Sequence, residues 1–171
     1  YVFNVRFNPF GKYDTVDESD LKYTDKFKAS VAASVVINPK ERDEKLVDSD
    51  GILGVVELSM KYRGASWHNE YFMRSDDPES GGETVQSNGF FSQAGYFVIP
   101  KKLEVAARYS MLDTDTDAAN DLQREYTGGV NYYFKGHRSK IQADVGHFVT
   151  EKGDLDDQNE NRIRMQYQIT F

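Results

Sequence analysis

Arg162-Ile-Arg-Met-Gln-Tyr-Gln-Ile-Thr-Phe171 alternates without a break over ten residues. In an extended strand, Ile163, Met165, Tyr167, Ile169 and Phe171 share one face, and Arg162, Arg164, Gln166, Gln168 and Thr170 share the other. Side chains of a strand point to opposite faces in turn, so this segment divides an apolar medium from a polar one. A tilted strand of about 9–11 residues crosses a bilayer, and this one has that length.

Working outward, eight more stretches alternate in the same way. They are approximately 1–7, 27–37, 52–62, 65–74, 90–99, 103–112, 126–134 and 140–148. Val, Ile, Tyr and Phe dominate them, and helical periodicity is nowhere sustained, so the chain reads as all-β. Tyr and Phe contribute 11 residues each to a chain whose mean hydropathy is only −0.68. Hydropathy alone would place such a chain in water, but half of every strand of a membrane barrel faces a polar lumen. There is no cysteine, which removes disulfides and thiolate metal sites. No segment with the features of an export signal precedes Tyr1, and export would have removed one.

The connections predict an orientation. Those at 63–64, 100–102 and 135–137 are tight, whereas 38–51, 75–88, 113–125 and 150–161 are long. Short and long connections therefore alternate, as expected for short periplasmic turns and longer extracellular loops. On this reading Tyr62, Trp67, Tyr132, Phe134, Tyr167 and Phe171 form a lipid-facing girdle, Tyr167 within the band and the others near the periplasmic ends. Tyr109 and Tyr126 lie toward the opposite rim. The competing explanation is ordinary core packing in a soluble sandwich or lipocalin-like barrel.

The expected fold is an antiparallel transmembrane β-barrel of the outer-membrane type, formed as a single domain over 1–171. About nine strands is an odd number, whereas bacterial single-chain barrels have even counts. Two readings follow. The chain is either the C-terminal part of a larger, 16–18-stranded barrel, or a complete eight-stranded barrel from Phe27 onward with an N-terminal extension. The alternation of Tyr-Val-Phe-Asn-Val-Arg-Phe7 favours the first.

The final strand, with its terminal Phe171, resembles the closing strand of bacterial outer-membrane barrels. That likeness implies lipid and lipopolysaccharide surroundings and delivery by the barrel-assembly machinery. More specific stretches are Val5-Arg-Phe-Asn-Pro-Phe-Gly11 with the acidic turn after it, Gln93-Ala-Gly-Tyr-Phe97, Val105-Ala-Ala-Arg-Tyr-Ser110 and Tyr126-Thr-Gly-Gly-Val-Asn-Tyr-Tyr-Phe134. In order and spacing these resemble the phosphate-selective porins of the O and P type, over the C-terminal half of a family member. The resemblance implies a larger barrel, often a homotrimer, that passes small anions through a lumen lined by Arg and Lys. No phosphate-binding position is carried over, because the family's constriction needs residues from the other half.

The charges bear on this independently. The net charge is −7, yet the four long connections hold 19 of the 28 acidic residues and only 5 of the 21 basic ones. Strand parity places Lys61, Arg74, Arg108, Lys140, Arg162 and Arg164 on the polar face, and Arg6 and Lys28 join them. These are the candidate pore-lining residues, since basic walls favour anions by attraction and field focusing. Glu57, Glu70, Glu104 and Asp144 share that face, so a salt-bridged wall that only stiffens the barrel is the competing reading.

Weaker signals point elsewhere. Asp113, Asp115, Asp117 and Asp121 have the spacing of a calcium loop, but Ala118 and Arg124 stand where Gly and Glu belong. His68, His137 and His147 are scattered and form no catalytic grouping. The acidic, hydrophilic stretch 12–26 reads as a solvated turn, with a subunit or periplasmic contact as the alternative; no basic-aromatic surface points to nucleic acid, and neither cofactor nor resident metal is implied. Function is thus expected to be passive anion diffusion without catalysis. The alternatives are a non-conducting barrel that sheathes or anchors a partner such as an electron-transfer conduit, and a small eight-stranded anchoring or adhesion barrel.

Overall fold

The computed structural model describes residues 1–14, 17–38, 49–78, 82–152 and 155–170. Nine strands follow one another: β1 Val2–Phe7, β2 Lys28–Asn38, β3 Ser49–Tyr62, β4 Ala65–Pro78, β5 Val85–Ile99, β6 Leu103–Asp113, β7 Gln123–Tyr133, β8 Ser139–Lys152 and β9 Leu155–Ile169. They form one antiparallel sheet in chain order, each strand paired with the next. The sheet is open, with β1 and β9 at its edges. β1 occupies the side of β2 that an eight-stranded closure from Phe27 would require.

Register carries one face intact across the whole sheet. Lys61 stands opposite Ser66, Ser66 opposite Gly95, Gly95 opposite Ala106, Ala106 opposite Gly129, Gly129 opposite Asp144 and Asp144 opposite Arg164. Because directly paired residues point the same way, all the polar alternating positions share this inward face. The other face carries Val31, Val56, Trp67, Tyr71, Tyr96, Val105, Val130, Val145, Met165 and Tyr167, all exposed. On β9, Ile163 is 81% exposed and Met165 77%.

Burial is inverted relative to a water-soluble sheet. Ser30, Ser59, Lys61 and Glu104 are buried, while the large aliphatic and aromatic side chains of the opposite face stand in the open. A continuous apolar face of this extent cannot be left in water, and lipid is the medium that covers it without a protein partner. A bulge between Phe97 and Ile99 extends the apolar band by turning Ile99 to face the outward Leu103.

The strands run further than the alternation indicated. β4 continues to Pro78, β5 begins at Val85, and β8 and β9 leave only two residues between Lys152 and Leu155. The expected long connection over 150–161 is therefore a paired hairpin, and long and short links do not alternate strictly. Beyond the lipid both faces of a strand meet polar surroundings, so alternation stops while the backbone ladder continues. The links 63–64, 100–102 and 134–138 all lie at one end of the sheet, its short-turn end. There Arg63 and Gly64 both have positive φ, 46° and 83°, which suits a two-residue hairpin.

Candidate functional site

The six candidate pore-lining cations all fall on the inward face, and the structure separates them by what they touch. Arg74 Nε lies 2.6 Å from Asp76, and Arg164 Nε donates to both Asp144 oxygens at 3.0 and 3.2 Å. Arg162 reaches over Gly146 to Glu125 at 3.8 Å. Arg6 is paired similarly, at 2.5 Å from Glu57. Lys61, only 6% exposed, donates to the backbone carbonyl oxygens of Asp14, at 3.0 Å, and Asp17. Among the described residues, Arg108 and Lys140 alone of the six meet neither a carboxylate nor a carbonyl. Arg108 lies 4.6 Å from the centre of the Phe91 ring, and Lys140 lies 5.9 Å from that of Tyr133.

The register arranges these groups in rows. Arg108, Thr127, Gly146 and Arg162 stand opposite one another on β6 to β9. Their arginines are three strand spacings apart, roughly 14 Å at 4.8 Å each. Both guanidinium groups rest on a phenyl ring, Arg162 at 4.3 Å from Phe148. Such cation–π stacking holds the planar group against the wall. Arg162 also keeps a buried Nε without an acceptor. One row toward the short-turn end, Gly95, Ala106 and Gly129 leave the wall thin, with Asp144 and Arg164 beside them. Next come Glu104, Asn131, Gln142 and Gln166, and then Tyr133, Lys140 and Gln168.

Glu104 is 3% exposed and accepts hydrogen bonds from Tyr133 at 2.7 Å and Asn131 Nδ2 at 3.0 Å. Its carboxylate passes over Gly95, where a Cβ would sit 2.6 Å from Glu104 Oε1. His68 Nδ1 lies 2.5 Å from Ser59 Oγ and its Nε2 lies 3.1 Å from Glu70, a hydroxyl–imidazole–carboxylate chain across β3 and β4 whose Ser59 is buried in the wall. His147 lies on the outer face against Asn161 at 2.9 Å.

The stretch read as a solvated turn is instead folded onto this wall. Asp20, 1% exposed, accepts from the Thr24 backbone N–H at 2.9 and 3.0 Å, from the Thr24 hydroxyl, and from Gly64 N–H at 2.7 Å. Gln93 donates to Glu18 at 2.9 Å, Tyr133 lies 3.4 Å from Ser19, and His137 faces Asp17 at 3.2 Å without hydrogen-bond alignment. Tyr13 is buried beside Lys61, 5.1 Å from ring centre to Nζ, and burial pushes its phenol up to about 12. The physical reason is chain length. The link from Phe7 to Lys28 is far longer than a hairpin needs, and its polar groups find partners on an already polar wall. A cavity of about 450 Å³ remains between Asp17, Glu18 and Ser19 on one side and the wall from Ser66 to Arg164 on the other.

The girdle residues Tyr62, Trp67, Tyr132 and Tyr167 lie on the outward face, and exposed Phe134 just beyond β7; Phe171 lies outside the described residues. Trp67 Nε1 donates to Ser92 Oγ at 2.9 Å, and Tyr132 packs edge-on against Phe134 with 4.9 Å between ring centres. The acidic link between β6 and β7 is bonded within itself. Asp121 accepts from Thr114 at 2.6 Å and from Asp115 N–H at 2.7 Å, and Asp115 accepts from Asp117 N–H at 3.1 Å. Among the described residues no acidic cluster has the arrangement of a metal site.

An open antiparallel sheet with an apolar outer face and a polar, charged inner face is consistent with the wall of an outer-membrane β-barrel. The family model for phosphate-selective porin O and P matches residues 10–171, and the chain belongs to that family. Its members are channel proteins of the bacterial outer membrane. An uncharacterized protein of Aquifex aeolicus (strain VF5) is 33% identical over 89 residues, covering 48% of this chain and 21% of its own length. The chain thus matches about a fifth of that relative. No solved structure matches.

Proposed function

We propose that this chain is part of the wall of an outer-membrane porin through which small anions, phosphate among them, diffuse passively. The observation that carries the reading is the single facing of all six cations, opposite the exposed apolar band. Within that set, Arg108, Arg162 and Lys140 are the groups that meet the passing ion. Arg108 and Lys140 have no carboxylate partner among the described residues, and Arg162 is held at the long distance of 3.8 Å from Glu125. Arg74 and Arg164 are largely neutralised by Asp76 and Asp144, and Lys61 is covered.

The ion therefore exchanges water for N–H donors at spaced stations instead of in one deep site. Lys140 and the row of Arg108 and Arg162 are six residues apart along the strands, or about 20 Å. Weak, multiple stations favour throughput, because an ion bound too tightly cannot leave. Charge of one sign selects anions over cations more readily than it selects phosphate over chloride.

The test is the zero-current potential of the intact protein in a planar bilayer under a salt gradient. Wild type should prefer anions, and Arg108→Gln with Lys140→Gln should move the potential toward that of an unselective pore. Arg164→Gln with Asp144→Asn should leave it in place. Cation preference in wild type would overturn the role given to these cations, and no conductance from folded protein would overturn the porin reading.

A further inference from the structure

We propose that residues 17–24, with Tyr13 and Asp14, form a latched constriction at the short-turn end of the pore, sealed by Asp20 and carrying opposing charge on Asp17 and Glu18. The inference rests on the pore reading above and adds to it a specificity-determining element within the lumen.

Three observations support a fixed inward position. The first is the latch: a buried carboxylate that gathers donors from Thr24 and from Gly64 joins the segment to the hairpin between β3 and β4. The Arg63 N–H also donates to the Thr24 carbonyl at 2.8 Å. The second is the reach. Contacts begin at Lys61 on β3 and end at His137 between β7 and β8, about five strand spacings or roughly 24 Å along the sheet. The third is fit at the turn. Gly64 has φ +83°, and a Cβ there would come within 2.5 Å of the Tyr23 ring.

A segment in this place subtracts cross-section from the lumen and brings its own charge to what remains. Glu18 is held by the neutral Gln93 amide, so its charge is not cancelled locally. Asp17 faces His137, a partner that is charged only when protonated, and Lys61, which binds the Asp17 carbonyl, offsets its charge in part. Both border the cavity whose far wall contains Arg108, Lys140 and Arg164. An anion leaving the basic wall at this end therefore meets two carboxylates, which moderates anion preference while the strap limits size.

Docking and conduction can be read separately in the intact protein. Ser59 is buried beside Tyr13, its hydroxyl 2.5 Å from His68 Nδ1, and these 171 residues hold no cysteine, so Ser59→Cys adds the one thiol of this stretch, with the unsubstituted protein as the labelling control. A hydrophilic maleimide should label it slowly. Adding Asp20→Ala should accelerate labelling on the order of tenfold or more, as expected when charge-assisted hydrogen bonds are lost. Gly64→Ala should do the same from the other side of the contact. In bilayers both variants should show larger single-channel conductance than wild type. Asp17→Asn with Glu18→Gln should leave conductance near wild type and shift the zero-current potential further toward anions.

Fast labelling of Ser59→Cys alone would overturn the docked strap even if the pore conducts. Slow labelling relieved by Asp20→Ala, with conductance unchanged, would show a strap that is docked but outside the permeation path, and would overturn the constriction. No conductance from any folded variant would overturn the pore reading and the constriction with it.

Discussion

Met165→Arg places a guanidinium on the outward face of β9, where Met165 stands opposite Ala143 and that row continues through Val130 and Val105 to Tyr96. Outward apolar residues on β9 run from Ile163 to Ile169, so Met165 lies well inside the band. An Arg near the midplane of a barrel costs about 2–4 kcal/mol, a factor of roughly 30 to 1,000 in the folding equilibrium. Its neighbour Gln166 points the other way, opposite Gln142, which donates to Asn131 at 2.9 Å. An added cation there joins a polar row near the Glu104 carboxylate, and such surface changes stay within about 0.5 kcal/mol. Urea-dependent folding of the intact protein into phospholipid vesicles, followed by heat-modifiable gel mobility, reads the difference. Met165→Arg should shift the midpoint far to lower urea, with Gln166→Arg close to wild type. Equal midpoints would refute the facing assigned to the whole sheet, because register ties β9 to every other strand.

Three further outcomes are expected. Gly95→Ala should displace the Glu104 carboxylate from Tyr133 and Asn131 and lower stability by about 1–3 kcal/mol in the same titration, since a buried acceptor loses its donors. Conductance should rise between pH 10 and about 12, because the Tyr13 phenol is held protonated in the docked strap. That contribution is complete below pH 10 and is lost as pH climbs through the docked value; Tyr13→Phe should flatten the rise, with Ser59 and Lys61 on β3, Arg6 on β1 and strap residues Asp14 and Asp20 as the surrounding groups. Isothermal titration of the intact protein with calcium should show no heat that Asp121→Ala abolishes, because Asp121 is committed to Thr114 and Asp115.

The facing of each strand was legible because one face is uniformly apolar, and a slip of one residue would reverse it. Trp67, Tyr132 and Met165 all lie where parity puts them. The ends of strands were not legible, since Asp156, Asn159 and Glu160 carry no two-residue pattern yet belong to β9. Parity also set Arg164 and Asp144 on one face, but pairing them and leaving Arg108 on Phe91 depends on which neighbour each side chain reaches. Asp20 and Tyr13 escaped notice altogether. Polarity marks a stretch as able to face water, and it marks it equally as able to face a polar wall. The length of the link between β1 and β2 was the available signal.

The paired extension of β8 and β9 has an electrical consequence. Leu155 to Ile163 spans eight residue steps, about 27 Å along the strand, and carries Asp156, Asp157 and Glu160 above the lipid-facing band. This mouth thus carries three acidic groups against the two, Asp17 and Glu18, of the strap at the short-turn end, with the stacked arginines between, so the charge along the axis is not symmetrical. A pore built this way conducts unequally under voltages of opposite sign. Since the Debye length shrinks from about 30 Å at 0.01 M salt to about 10 Å at 0.1 M, that rectification fades as salt is raised.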